Sequence, residues 1–579
     1  MRRSASRRSS RAPRSCGSST ASAGCAEPTE TTVNARRVAT GAAAGIAGGA
    51  ALIAVVGVLS RVVGFGRQLV FQSQVGETVL GSVYATANAV PNVVFEIVAG
   101  GALASVVVPV LAAAAGRGDT EHVRQTVSAL LGWTLTLLVP VALLGVLVAG
   151  PAMELMLRGT GGDEGADVGR EMLLLFLPQI PLYGIAVVTA GALQAHRRFL
   201  AAALAPVLSS IVVAGAYVTF GQVFTGDADD LSALDRGSEL VLAGGTTLGV
   251  LALALATLLP MLARVTGIRA TLRFPDGVGR RVARLAGAGL VTLVAQQLAY
   301  LTSYLMSNEH AGSGGAVTYL NSWMVFLLPY AVLAVPIATA AFPRLSEVAG
   351  TDRDAYAATL ARSTRAVVLV SLLGAAVLVA VAWPVARFFG LIGAGEAPPD
   401  RMAWALIAFA PGLVGYGLVA HLGRALYARG RGRAAAAATA GGWLVVVLVA
   451  VVLTGLVARE RATAALGLAH TVGLTLAGVL LVTGVLRDSG RPGLTGVGRA
   501  TVVGAAGAGL GGAAGWAVAA AFPADSVGVQ VLAGVAAALA VAVVALAVCW
   551  PFLRGDLRAL VPRRSADPDD HQLGREDED

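Results

Sequence analysis

The sequence predicts an all-α integral membrane protein of about 14 transmembrane helices, arranged as two six-helix lobes plus two C-terminal helices. Three features predict it: apolar blocks of membrane-spanning length, loops that alternate in charge, and an internal echo at a spacing of six spans. Hydrophobic residues make up 56% of the 579 positions and charged residues 13%, with a mean hydropathy of +0.73. Soluble domains carry about 25% charge. The apolar blocks run to roughly 20–28 residues, which crosses a ~30 Å hydrocarbon core at 1.5 Å per residue. Alanine and glycine (72 residues) are abundant within them; in lipid, small residues let helices approach closely.

In chain order, residues 1–38 are rich in Arg, Ser, Ala and Thr without an apolar run, and read as a disordered basic cytoplasmic tail. A cleaved signal peptide fits less well, because the first apolar block is long and others follow. Spans are predicted near 43–66, 78–114, 126–150, 171–195, 199–221, 240–263, 284–307, 314–343, 366–390, 402–427, 434–457, 464–486, 500–521 and 527–552. The second and eighth are too long for one straight crossing and contain Pro and Gly, so bent or broken helices are expected there. The predicted organisation is an N-lobe at 39–265, a C-lobe at 266–490, a helix pair at 491–555 and a cytoplasmic tail at 556–579.

The formal charge of +9 invites a nucleic-acid reading, which its placement argues against. There is no Lys, and beyond the leader most of the Arg residues sit in short loops between apolar blocks. Basic loops hold Arg117/Arg124, Arg197/Arg198, Arg264 to Arg284, Arg344 to Arg365, Arg424 to Arg433, Arg487 to Arg499 and Arg554 to Arg564. Loops between them are acidic or near neutral, as at Asp163/Glu164/Asp167 and Asp227/Asp229/Asp230/Asp235. Arg excess marks the cytoplasmic side, so an even span count puts both termini there. Cys16, Cys25 and Cys549 offer no disulfide framework. Six scattered His, no Cys/His cluster and no phosphate-binding Gly-Lys loop point away from an enzyme, a metal site or a cofactor.

The echo pairs span n with span n+6. Ala192-Leu193-Gln194-Ala195-His196-Arg197-Arg198 closes the fourth span and Ala425-Leu426-Tyr427-Ala428-Arg429-Gly430-Arg431 the tenth. Pro109-Val110-Leu111 answers Pro343-Arg344-Leu345, and Arg67-Gln68-Leu69 answers Gln296-Gln297-Leu298. A repeat of six spans gives two lobes facing the same way, as in transporters built from parallel halves around a midplane site.

Ionisable groups inside the membrane are costly and normally face a cavity or a partner. Arg61, Arg67 and Glu96 are the candidates here. At 100° per residue, Arg61, Gln68 and Gln72 share one stripe of the first helix, with Arg67 and Gln74 on another. The bland alternative places both arginines at the outer interface, snorkelling to water. On the second helix Tyr84, Asn88, Asn92 and Glu96 recur every four residues, which describes a wet cavity wall. Glu96 is then either a static partner of an arginine or a group that switches during transport. Gln296, Tyr300 and Tyr304 form a similar stripe in the second lobe, and Asn321-Ser322-Trp323 opens the eighth span. Amides there also serve as packing glue.

Ser60-Arg61-Val62-Val63-Gly64-Phe65-Gly66-Arg67, then Val90-Pro91-Asn92, then Gly101-Ala102-Leu103-Ala104-Ser105 to Val108-Pro109-Val110-Leu111, resembles the MurJ (MviN) family of lipid II flippases. The stretch from Ala338-Thr339 to Phe342-Pro343-Arg344-Leu345-Ser346 is similar to that family too. The resemblance implies export of the lipid-linked peptidoglycan precursor across the bacterial cytoplasmic membrane, by alternating access, within the multidrug/oligosaccharidyl-lipid/polysaccharide exporter superfamily. It implies that Arg61 and Arg67 meet the precursor's diphosphate, which a permanently charged, forked guanidinium suits. Substrate-contacting candidates are Arg61, Arg67, Asn88, Asn92, Glu96, Gln296 and Asn321, with the lipid tail beside the last two spans. Partners expected are the precursor, membrane lipids and cell-wall synthesis proteins. There are departures: Phe95 and Glu96 stand where many members carry two arginines, Ser82 where they carry Asp, and no Ala-Asp-Arg occurs near Asn321.

Two other functions share these features. A drug/cation antiporter, or a flippase for another polyprenyl-linked saccharide, fits Glu96; continued flipping of the anionic precursor by an Arg61→Ala protein would favour the antiporter. A non-transporting scaffold for wall synthesis would instead lose function on deletion of 1–38 and tolerate Arg61→Ala and Glu96→Ala.

Overall fold

Apolar blocks interrupted by polar or Gly/Pro punctuation fold into helices throughout the computed structural model. It describes residues 56–98, 119–196, 198–275, 290–395 and 398–558, with isolated positions between 99 and 118 and at 278. In order these form α1 (56–74), α2 (Val79–Ile97), α3 (Thr120–Met156), α4 (Gly162–Phe176), α5 (Gln179–Ala195), α6 (Phe199–Val223), α7 (Arg236–Leu262) and α8 (Leu290–His310). There follow α9 (Gly315–Val348), α10 (Arg353–Ile392), α11 (Pro399–Phe409), α12 (Gly412–Ala428), α13 (Gly432–Thr454), α14 (Ala462–Ser489), α15 (Val497–Ala520) and α16 (Val527–Arg558). Several starts are capped by side chains that satisfy otherwise orphaned N–H groups. Thr78 accepts from Gly81 N–H at 3.0 Å, Asp119 from His122 N–H at 3.0 Å and Asp352 from Ala355 N–H at 2.9 Å. The leader, the acidic tail, Cys16, Cys25, Gly100-Gly101 and Pro109 lie outside the described residues.

Among the described residues ten helices are long and apolar enough to cross a membrane, or eleven if the bent pair α11 and α12 is one span. That is fewer than the expected 14. The shortfall has a physical reason at α1, α2 and α8, which occupy predicted spans 1, 2 and 7. The described part of α1 carries Arg61, Arg67, Gln68, Gln72 and Gln74, and α2 and α8 carry Asn88, Asn92, Glu96, Gln296 and Gln297, so all three are too polar to qualify. The eighth span, α9, runs from Gly315 to Val348 with a wider π-helical turn at Tyr330–Ala334, directly after Pro329. Proline removes a backbone donor and crowds the preceding turn, and a π turn absorbs both.

The internal echo is visible in these elements. α5 and α12 are both 17 residues long and both follow a proline, Pro178 and Pro411. Both end in the same hydrogen bond, from Arg198 N–H to Leu193 O and from Arg431 N–H to Leu426 O, each 2.8 Å.

Two ends of the molecule differ in how the core is shared. Near the acidic loops and the middle, one apolar core joins both halves of the chain, mixing Phe71, Tyr84, Phe176 and Phe220 with Tyr304, Phe326, Phe389 and Phe409. Near the arginine-rich loops the core divides. One cluster (Val107, Leu111, Val127, Leu130, Leu193) belongs wholly to the N-terminal half, another (Leu345, Tyr356, Leu360, Leu422, Val485) wholly to the C-terminal half. Among the described residues the halves therefore share a core at the acidic end and keep separate cores at the basic end. Outside, Leu143, Leu147, Leu448, Val502 and Val543 are each more than half exposed, a surface made for acyl chains rather than water.

Helix contacts rely on missing side chains. On α14, a β-carbon at Gly473 would lie 2.5 Å from Gly442 O of α13, with Val446 also in the way, whereas one at Gly441 would meet nothing within 4 Å. Gly473→Ala is expected to destabilise the protein by about 1–3 kcal/mol, because a backbone carbonyl cannot step aside. Thermal unfolding in detergent should show a lowered Tm for Gly473→Ala and none for Gly441→Ala.

Candidate functional site

Between the halves lies a cavity of about 530 Å³. Arg67 reaches it from α1, six residues and so about 120° round the helix from Arg61. Tyr84, Asn88, Asn92 and Glu96, one per turn of α2, all line it, and Gln296 and Tyr300 contribute from α8. Among the described residues Arg67 and Glu96 have no hydrogen-bond or ion-pair partner, so the static Arg–Glu pair that the sequence allowed does not form. A guanidinium without a protein partner in a recess is a binding group for an anion.

The amides and phenols are more firmly held. Asn92 Nδ2 donates to Asn88 O at 2.8 Å and its Oδ1 accepts from Tyr183 OH at 3.1 Å. Tyr84 OH bonds Tyr217 OH at 2.8 Å and Thr246 Oγ1 at 2.7 Å, tying α2 to α6 and α7. Asn88 Oδ1 is buried without a partner among the described residues.

Two expected site residues lie elsewhere. Arg61 is exposed and is not part of the cavity lining, and its neighbours Val58 and Val62 are each 62% exposed. The expected convergence of Arg61 and Arg67 on one vestibule is thus corrected: the angle between the two stripes turns Arg61 to a different face. Asn321 is fully buried in a seam between the halves. It accepts from Gln68 Nε2 at 3.0 Å and donates to Gln72 Oε1 at 2.8 Å and to Glu77 Oε1 at 3.5 Å.

That seam, at the acidic end, was not legible beforehand. Glu77, in the turn between α1 and α2, accepts from Thr318 Oγ1 of α9 at 2.9 Å and donates its N–H to Ala394 O at 2.9 Å. Burial pushes its carboxyl up to about 7, against the opposing hydrogen bonds of Thr318, Asn321 and Gln72 and the charge of Arg401. Gly314 and Gly395, both at positive φ, press on the Glu77 carbonyl where no side chain would fit. Asn308 donates to Thr86 Oγ1 at 2.7 Å and Met156 O at 2.9 Å, and Ser313 Oγ donates to Asp229 Oδ1 at 2.9 Å. Each of these bonds joins one half to the other.

The C-terminal wall of the cavity is aromatic, with Tyr300, Tyr304, Trp323, Tyr416, Trp443 and His470. Tyr416, Trp443 and His470 escaped the sequence reading because they sit singly in apolar blocks; a histidine in mid-span was the one available signal.

The model of the lipid II flippase MurJ family matches residues 71–548. The chain belongs to that family. Relatives include the lipid II flippase MurJ of Burkholderia cenocepacia, 26% identical over 75% of this chain and 83% of that protein. The probable lipid II flippase MurJ of Rhizobium tropici is 25% identical over 64% of this chain and 68% of its own. Among solved structures, a lipid II flippase MurJ in an inward closed conformation superposes with a TM-score of 0.66 at 16% identity, covering 88% of this chain and all of that one. An inward-facing multidrug resistance MATE family transporter of the MOP superfamily gives 0.62 at 16% identity, over 75% and 95%. The MurJ family is thus one of membrane transporters, and this chain shares its helical architecture with the wider MOP superfamily.

Proposed function

We propose that this chain flips lipid II across the bacterial cytoplasmic membrane by alternating access. One observation carries the reading: an unpaired guanidinium, Arg67, stands in a cavity sealed at the acidic end and bounded by divided cores at the basic end. Residues 39–265 and 266–490 act as two lobes, and 491–555 as an appended pair of helices. Arg excess sets the basic end, and with it both termini, on the cytoplasmic side. The precursor's diphosphate enters from that side and meets Arg67, with Asn88, Asn92 and Gln296 as further polar contacts. Its tail stays in lipid, near an apolar cleft of about 90 Å³ formed by Leu369, Leu373, Ala508 and Leu546. Breaking the Glu77 seam and closing the basic end then delivers the headgroup outward. A potential negative inside assists an anion by about 2.3 kcal/mol per charge per 100 mV.

Depleting the protein is expected to trap lipid II in the inner leaflet, read as loss of its accessibility to an externally added lipid II-degrading enzyme. Unchanged accessibility, with no other flippase present, would end this reading. Glu96, an unpaired carboxylate open to the same cavity, favours cation/drug antiport as the second reading. In that case purified protein in vesicles would move a cationic dye against a proton or sodium gradient and leave lipid II in place.

A further inference from the structure

The two walls of the cavity have different chemistry. The N-terminal half supplies the guanidinium and the carboxylate, beside amides and phenols. The C-terminal half adds the amides of Gln296 and Gln297 but is dominated by rings, and among the described residues its lining contains neither an arginine nor a carboxylate. Trp323 is the hub of that surface. Its ring centroid lies 5.0 Å from His470, 5.2 Å from Phe326, 5.8 Å from Phe409 and 6.4 Å from both Tyr416 and Trp443. Tyr416 is itself stacked on Tyr330 at 4.0 Å. Trp323 and Tyr416 are half-buried, packed from behind and open toward the cavity. Rings locked in this way lose little freedom when a ligand covers them.

Buried indoles normally find an acceptor for their N–H. Among the described residues neither Trp323 nor Trp443 has one. The wall therefore combines flat apolar faces with unmet donors. An uncharged ring that is apolar on its face and rich in hydroxyl oxygen at its rim meets both needs. A cation would gain from the ring faces alone and would leave the indole donors unmet.

We propose that Trp323, Tyr416 and Trp443 form a saccharide subsite, which stacks the sugar adjoining the diphosphate while Arg67 on the facing wall holds the diphosphate. This inference rests on the lipid II reading above and specifies how its headgroup is divided between the lobes. The aromatic wall would then reward the presence of a sugar, and the cationic wall the presence of a phosphate.

The test compares binding of lipid II and of undecaprenyl diphosphate, which has the same tail and diphosphate but no sugar, to the full chain in nanodiscs. Trp323→Leu and Tyr416→Leu are each expected to weaken lipid II binding roughly 10-fold, equivalent to about 1.4 kcal/mol, and to leave undecaprenyl diphosphate binding unchanged. Trp323→Phe should keep most of the lipid II affinity, since it keeps a ring face. Retained binding of the sugar-free lipid also shows that each variant is folded. Equal losses for both lipids, or no loss for lipid II, would overturn the subsite. So would a leucine variant that loses tetraphenylphosphonium binding while lipid II binding stands, which would mark the wall as a cation site. Failure of the flippase reading looks different: Arg67→Ala would then leave both lipids bound as tightly as before.

Discussion

Arg67→Ala is expected to lower lipid II translocation roughly 10- to 100-fold, the range set by about 1.5–3 kcal/mol for a hydrogen bond to a charged group. Arg67 lines the cavity, and no described residue neutralises it, so its charge is available to the diphosphate. Arg67→Lys should recover only part of the rate, because an ammonium keeps the charge and loses the fork that grips two phosphate oxygens. Arg61→Ala supplies the contrast. That side chain is exposed and outside the lining, so its removal should cost far less. Flipping by purified variants in vesicles, normalised to folded protein, checks all three. Wild-type flipping by Arg67→Ala would remove the cationic basis of the mechanism.

Glu77→Ala is expected to loosen the acidic end and shift the population toward states open on that side. The substitution removes the carboxylate that accepts from Thr318 Oγ1, leaving that hydroxyl only its bond to Gly314 O within α9, and weakens the network around Asn321, which bonds Gln68, Gln72 and Glu77. A bond to a charged acceptor is worth about 1.5–3 kcal/mol, so its loss shifts the open–closed ratio roughly 10-fold or more. Spin labels at Asp163→Cys and Glu460→Cys, exposed positions on opposite halves near the acidic end, would report a longer distance. The same labels test a pH dependence. With the seam closed the Glu77 carboxyl is raised to about 7, while in a hydrated open seam it returns toward 4.5. Between those values the closed state binds the extra proton, so closure strengthens as pH falls from 7 toward 4.5. Above 7 both states are ionised and closure is at its weakest and flat with pH. Arg401 is the charged group that faces Glu77 and moderates the rise. Glu77→Gln should flatten the profile; a profile unchanged in that variant would assign the pH response to another group.

Family membership and helical architecture were legible in the chain because they rest on local properties. Block length, arginine placement and proline punctuation act on each segment independently, and the matched ends of α5 and α12 repeat a local pattern at Pro178 and Pro411. The stripe from Tyr84 to Glu96 was readable for the same reason: one helix with four-residue spacing has one face. The span tally was less readable, because cavity-lining helices such as α2 and α8 are polar enough to lose the hydropathy signal.

By itself the sequence determined that this is a multi-pass helical protein of the MurJ family with ionisable groups set into its first two helices. Only the tertiary structure decided which charges meet. It separated Arg61 from Arg67, left Glu96 unpaired, and moved Asn321 from a cavity wall into a seam with Glu77. It also gathered Trp323, Tyr416, Trp443 and His470 from four helices into one wall. Periodicity fixes the face of a helix, but which neighbour that face meets depends on packing between segments hundreds of residues apart.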